Sequence, residues 1–320
     1  MNDLAAITCF FSYSRNRFSV ECFRNFKKRL EKQGVKLYAV ELSFGDQEYL
    51  LGGEDVYLRL RTNTILWHKE SLLNILVKRL PPHIKKIAWL DSDIKVEAEG
   101  WGETLSGLLD RHKIVQLGRT HEYLNREGKV ERSHRTTGYG IHHNEKDWMN
   151  FSKHHPGLAW AASREFFSDC GGLFSYCLAG GGDGAMVPIF ANSRRRDGLS
   201  EDIKDWIIDE KKYNIYKEHC PTMLDRIREY KNKVAPYVGG DISYLNCKIW
   251  HEWHAPQSRR GYATRAFMLK GVNLYEDLRT DESTGLFEWR DLKNNLKFEK
   301  FFSAKDHSRG VRRQISYENL

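Results

Sequence analysis

Residues 86–93 read Lys-Ile-Ala-Trp-Leu-Asp-Ser-Asp, an apolar run from Ile87 to Leu90 that leads straight into two aspartates at alternate positions. A short continuous apolar run bounded by polar residues predicts a strand covered on both faces. Working outward from it, Ala5 to Phe11 (AAITCFF) and Val35 to Leu42 (VKLYAVEL) have the same character. Between them, Phe18 to Gln33 carries Val20, Phe23, Phe26 and Leu30 at helical spacing and is stopped by Gly34. A second helix is expected over Leu66 to Leu80, with Trp67, Leu72, Leu73, Ile75, Leu76 and Leu80 inward and Pro81-Pro82 ending it. The result is a β-α-β-α-β series, the pattern of a parallel α/β sheet with helices on both faces. Such sheets bind ligands at the carboxyl ends of their strands, where Asp91 and Asp93 stand.

Beyond Val96 the pattern loosens. Leu105 to Asp110 predicts a helix and Lys113 to Leu117 a strand, whereas residues 118–153 are polar and read as a long loop or insertion. Core character returns at His155 to Ser163, a helix begins at Arg164 to Ser168, and a glycine-rich stretch leads to Asp183. Residues 198–233 are helical and charged, and Tyr237 to His254 suggests two short strands. From Asp291 onward, seven Lys or Arg stand against four Asp or Glu, with apolar residues grouped at Phe298 to Phe302. The expected division is a catalytic domain over 1–290 and a basic helix and tail over 291–320.

With 320 residues, 40% hydrophobic and 29% charged, the chain is neither disordered, collagen-like nor a disulfide miniprotein. Its 51 Lys and Arg against 43 Asp and Glu give +8, a surplus that favours a polyanionic partner. Six cysteines without a CxxC encode neither a zinc ribbon nor a thioredoxin-like site, and reduced thiols are expected. No run of roughly 18 apolar residues and no signal-type N-terminus are present, so a cytoplasmic protein without a membrane segment is the expectation.

Several groups can carry chemistry. Asp91-Ser92-Asp93 offers hard oxygen ligands for Mg2+ or Mn2+, although a strand-end aspartate can also serve only as a helix cap. Gly180-Gly181-Gly182-Asp183-Gly184 lets backbone approach a ligand with an acid at its centre, or else is a flexible turn with a solvated Asp. His251-Glu252-Trp253-His254 spaces two imidazoles so that a turn or helix could bring both to one metal; on a strand they would face opposite sides. Arg15-Asn16-Arg17 follows the first strand, a place to meet a nucleotide, and Trp67-His68-Lys69-Glu70 puts a cation and an acid at a helix start, where an intrahelical ion pair is the plain alternative. Arg194, Arg195 and Arg196, and downstream Arg259, Arg260 and Arg265, can contact phosphates or be solvated basic turns.

Taken in chain order, these motifs resemble the GT-A glycosyltransferases and, distantly, the beta-1,4-galactosyltransferases. Ser14-Arg15-Asn16-Arg17 stands where that family has F-R-N-R, Glu70 to Asn74 where it has A-K-L-L-N, and Gly181-Gly182-Asp183 where it has G-G-E-D, with Gly182 replacing Glu. A nearer resemblance is to the phage and bacterial TET/JBP-associated glycosyltransferases. It rests on Trp67 to Asn74, Trp89 to Asp93, His155 to Ala161, Gly180 to Asp183, His251 to His254 and Arg260 to Arg265, matched in order over residues 67–265. Ala255 departs from the usual Gly.

The resemblance implies a GT-A fold, a Rossmann-like mixed sheet flanked by helices, and an inverting hexosyltransferase. Its donor would be a UDP-sugar, UDP-glucose above all, and its acceptor the hydroxyl of 5-hydroxymethylcytosine or 5-hydroxymethyluracil in double-stranded DNA, the protein acting as a monomer. Asp93, His251 and His254 would hold Mn2+ or Mg2+, and Asp183 would be the general base. Arg15, Arg17, Lys69, Asp91 and Ser92 would contact the nucleotide-sugar, and Arg194 to Arg196, Arg259, Arg260 and Arg265 the DNA. A glycan or lipid-carrier glycosyltransferase, and a non-catalytic nucleic-acid- or sugar-binding module, are the alternatives.

Overall fold

The computed structural model describes residues 3–13, 15, 17–191, 210–253 and 265–306. The chain opens with β1 (Leu4–Phe10), α1 (Arg17–Lys32), β2 (Leu37–Phe44), β3 (Leu58–Thr62), α2 (Lys69–Arg79) and β4 (Lys86–Leu90). The expected series is therefore present, with one strand added. β3 (LRLRT) alternates arginine with apolar residues and extends the sheet edge beside β2. Helix α2 stops at Leu80, and the Arg164 guanidinium gathers its orphan carbonyls, donating to Val77 O (3.1 Å), Leu80 O (2.9 Å) and Pro81 O (2.7 Å).

After β4 come β5 (Ile94–Glu97), α3 (Trp101–Leu109), β6 (Ile114–Leu117), β7 (Thr120–Leu124), β8 (Val130–Thr136), α4 (Thr137–His142), β9 (His154–His155), β10 (Ala159–Ser163), α5 (Arg164–Asp169) and α6 (Gly182–Phe190). Then follow α7 (Glu210–His219), α8 (Pro221–Val238), β11 (Ile242–Leu245), β12 (Lys248–His251), β13 (Leu278–Thr280), β14 (Phe287–Trp289) and α9 (Leu292–Asp306). The main sheet has seven strands in the order β11-β6-β10-β4-β1-β2-β3. All run in parallel except β10, which is antiparallel to both β4 and β6. This is the mixed α/β sheet flanked by helices that the resemblance implies.

Alternation along β4 decides what covers each face. Ile87 and Trp89 pack into the cluster formed with Leu72 and Leu76 of α2, Phe166 of α5 and Phe190 of α6. Ala88 and Leu90 turn the other way, against Phe26 and Leu30 of α1 and Trp101 and Leu105 of α3. Phe298 and Phe302 of α9 are 0% and 2% exposed and belong to the first cluster, and Phe302 stacks 4.6 Å from Tyr13.

Residues 118–153 do not form the long loop that their polarity suggests. β7 and β8 pair antiparallel there and join a second sheet of order β5-β12-β7-β8-β9. Three of its strands continue main-sheet strands beyond their carboxyl ends: β5 follows β4, β7 follows β6, and β12 follows β11. The Asp91-Ser92-Asp93 turn thus joins a strand of the main sheet to a strand of the second sheet. No disulfide joins any of the six cysteines.

Candidate functional site

The site forms where β4 leaves the main sheet. Thr8 Oγ1 donates to Leu90 O (2.8 Å) and Asp91 N donates to Leu158 O (2.9 Å), which fixes the strand end on both sides. Leu158 holds φ +77°, a conformation costly for a bulky residue. Its strain is sustained by the carbonyl's bond to Asp91 and by the burial of its side chain. The preceding loop is clamped from below by fully buried Gln116, whose Nε2 donates to His155 O (3.0 Å) and Gly157 O (3.2 Å). Its Oε1 accepts from Thr137 Oγ1 (3.0 Å) and Gly138 N (2.6 Å).

Four elements converge on the turn. From the start of α2, Lys69 Nζ reaches Asp91 Oδ1 at 2.5 Å and Asp183 Oδ2 at 3.8 Å. Asp183 lies in the first turn of α6, whose N-cap, Gly181, has the left-handed φ of +95°. From the end of β12, His251 Nε2 stands 3.7 Å from Asp93 Oδ2, because β12 pairs antiparallel with β5 and sets His251 opposite Ile94. Glu252 N donates to Asp93 O (2.9 Å), and the Glu252 carboxylate takes Arg29 (2.9 Å) and Cys22 Sγ (3.3 Å), which tie α1 to the same junction. Ser92 lies half-buried between the two aspartates.

Electrostatics follow from crowding. Burial raises Asp91 to about 6, with Asp93 and Asp183 pushing the same way against Lys69. Burial acts to lower Lys69, but Asp183, Asp91 and Glu70 outweigh it and hold the ammonium well above its ordinary value. Burial also lifts Glu70 to about 8. Lys69 is therefore held as a cation among acids.

The Asp93–His251 separation exceeds a hydrogen bond, yet one cation about 2.1 Å from each donor spans it readily. A hard carboxylate beside an imidazole is a donor set that suits Mn2+. His254, Arg259 and Arg260, like Arg194, Arg195 and Arg196, lie outside the described residues. Arg15 is exposed, with φ +56°, and donates to Glu48 O (2.7 Å), and Arg17 is exposed at the start of α1. The Arg265 guanidinium sits at the glycine loop: its Nη1 lies 3.2 Å from where a Cβ on Gly180 would be, beside Trp67.

Among the described residues, the one group of three metal-ligand side chains with atoms within 4.8 Å of one another is Glu145, Asp147 and His154. It is already neutralised: Arg135 and His154 each pair with Glu145 at 2.6 Å, and Lys153 with Asp147 at 2.8 Å.

Sequence analysis weighed Glu70 only as one half of a Lys-Glu pair at a helix start and gave Gly157 no role of its own. Gly157 has no room for a side chain, since a Cβ there would lie 2.9 Å from Asp183 Oδ2 and 3.1 Å from His155 Cε1. The usable signal was position: a Lys-Glu pair opening a helix, and a glycine opening a strand, both at the ligand-binding edge of the sheet.

No family model matches the chain, and no curated protein matches it. Among solved structures, the chain is similar to a Drosophila beta-1,4-galactosyltransferase 7 mutant in complex with manganese, UDP-Gal and xylobiose. Identity is 12%, coverage is 92% of this chain and 98% of that one, and the TM-score is 0.35. It is also similar to the catalytic domain of the Drosophila enzyme with xylobiose, at 12% identity over 77% of this chain, with a TM-score of 0.31, and it spans 65% of that chain's length. A mannose-1-phosphate geranyltransferase from Thermus thermophilus gives 10% identity, 79% and 74% coverage and a TM-score of 0.30. Likenesses of this size transfer no ligand and no residue role to this chain.

Proposed function

We propose that this protein is a metal-dependent inverting glycosyltransferase that moves a hexose, glucose above all, from a UDP-sugar to the hydroxyl of 5-hydroxymethylcytosine or 5-hydroxymethyluracil in DNA. The observation that carries the reaction class is the meeting of Asp93 and His251, 3.7 Å apart, beside an Asp183 carboxylate 3.8 Å from Lys69. Asp93 and His251, with His254, would hold Mn2+ or Mg2+, which when bound neutralises charge on the leaving diphosphate. Asp183 takes the proton of the acceptor hydroxyl as that oxygen bonds to the anomeric carbon and the bond from that carbon to the diphosphate breaks. Lys69 keeps Asp91 and Asp183 apart in charge and fixed in place, and Asp91 with Ser92 faces the nucleotide. Support for DNA as acceptor comes from the ordered motifs and the net charge of +8.

Two variants test the assignment. Asp183→Asn is expected to abolish transfer while donor affinity stays within about threefold. Asp93→Ala is expected to remove the Mn2+ dependence of UDP binding measured by calorimetry. Retained turnover in the first, or unchanged metal-dependent binding in the second, overturns the role assigned.

A further inference from the structure

Glu70 sits one residue beyond Lys69 in the first turn of α2 and is only 3% exposed. Its own backbone N–H bonds the carboxyl, and Lys69, Asp183 and Asp91 act on it through space. Burying a carboxyl costs free energy that this local bond offsets only in part. An acid in the first turn of a helix gains its dipole benefit equally well in solvent, so helix formation does not explain why this one is buried.

Its surroundings are specific. The Glu70 carboxyl carbon lies 2.8 Å, and its Cγ 3.2 Å, from where a Cβ on Gly182 would be. The carboxyl thus stands in the space a side chain at 182 would fill, one position before Asp183 in the chain. The Glu70 carboxyl thus lies against the residue that precedes Asp183, and Lys69, its neighbour in α2, reaches Asp183 Oδ2 at 3.8 Å.

We propose that Glu70 binds the acceptor, its carboxyl forming a hydrogen bond with the polar group next to the hydroxyl whose proton Asp183 takes. The assignment rests on the glycosyltransferase reading above. It requires an acceptor with two neighbouring hydrogen-bonding groups, one that reacts and one that is held. In 5-hydroxymethylcytosine the second is the 4-amino group beside the hydroxymethyl arm. Glycine at 182 is then the condition for Glu70 to reach this place.

The test measures initial rates with UDP-glucose, Mn2+ and DNA containing 5-hydroxymethylcytosine across acceptor concentrations, together with UDP release without acceptor. For Glu70→Ala, acceptor KM is expected to rise at least about tenfold while acceptor-free UDP release stays within about twofold. Glu70→Gln, which keeps the shape, is expected to fall between. The double variant Glu70→Ala/Gly182→Glu returns a carboxyl to the same space from α6 and is expected to recover most of the lost acceptor affinity. Gly182→Glu alone, which overlaps Glu70, is not. An unchanged acceptor KM in folded Glu70→Ala, an equal loss of acceptor-free UDP release, or no recovery in the double variant overturns the assignment. Wild-type protein that turns over no UDP-sugar overturns the glycosyltransferase reading, and this assignment with it.

Discussion

An alanine at position 157 probes the site more finely than removal of any acid. Its Cβ would lie 2.9 Å from Asp183 Oδ2, and restoring an ordinary contact of 3.4 Å moves that oxygen by about 0.5 Å. The displaced atom is the end of a side chain that is 20% exposed, so the fold yields at little cost. Overpacking of about 1 kcal/mol is partly offset by the smaller unfolded-state entropy of alanine. Catalysis has no such tolerance: misplacement of a base by a fraction of an ångström to one ångström costs about 10- to 100-fold in rate. Gly157→Ala is therefore expected to lower kcat for transfer by that factor, with donor KM and thermal midpoint nearly unchanged. Gly184→Ala is the control, because its Cβ would meet only Phe151 Cε2 at 3.5 Å. Rates from UDP release in the presence of acceptor, with melting curves on the same samples, decide the matter. A Gly157→Ala protein within about threefold of wild type refutes the placement of Asp183 as base, as does one whose lost activity parallels lost folding.

Two other outcomes follow from the same contacts. Gln116→Leu strips buried Gly138 N, Thr137 Oγ1 and the carbonyls of His155 and Gly157 of their common partner. Its expected cost in urea unfolding is about 3–4 kcal/mol. Glu70 keeps its proton to about pH 8 in the native chain but releases it near 4.5 when unfolded, so wild-type stability is lost as pH rises through that window. Glu70→Gln is expected to gain stability relative to wild type between pH 5 and 8, by on the order of 3 kcal/mol. The difference between the two proteins isolates this group, since His68 and His121, held down to about 4 by burial, act in the opposite sense in both.

The fold is legible in the sequence wherever burial imposes a pattern. β1, β4, α1 and α2 announce themselves because both faces of the sheet are covered and the helices present one apolar stripe each. β3 hides because it is an edge strand whose Arg59 and Arg61 face outward. β7 and β8 hide for a related reason: His121, Glu122, Ser133 and His134 are paired by backbone and by one another, so the ladder has no apolar signature. α6 begins on glycines and contains Pro188, which disguises a helix as a turn.

The acids were legible one by one, but their mutual arrangement was not. Asp91 and Asp183 are 92 positions apart, and only the antiparallel return of β10 beside β4 brings the loop before it, and with it Gly157, against Asp183. Glu70 reads as half of an intrahelical pair until Gly182 is seen to leave room for it.

The central claim is that the carboxylates and imidazole gathered at the end of β4 transfer a sugar to a DNA hydroxyl. Incubation of the protein with UDP-glucose, Mn2+ and DNA containing 5-hydroxymethylcytosine, followed by digestion to nucleosides and mass spectrometry, tests it directly. The account predicts a 5-hydroxymethyldeoxycytidine species heavier by one hexose, present with wild type and absent with Asp183→Asn. Unmodified nucleoside alone, with active donor turnover confirmed by UDP release, would contradict it.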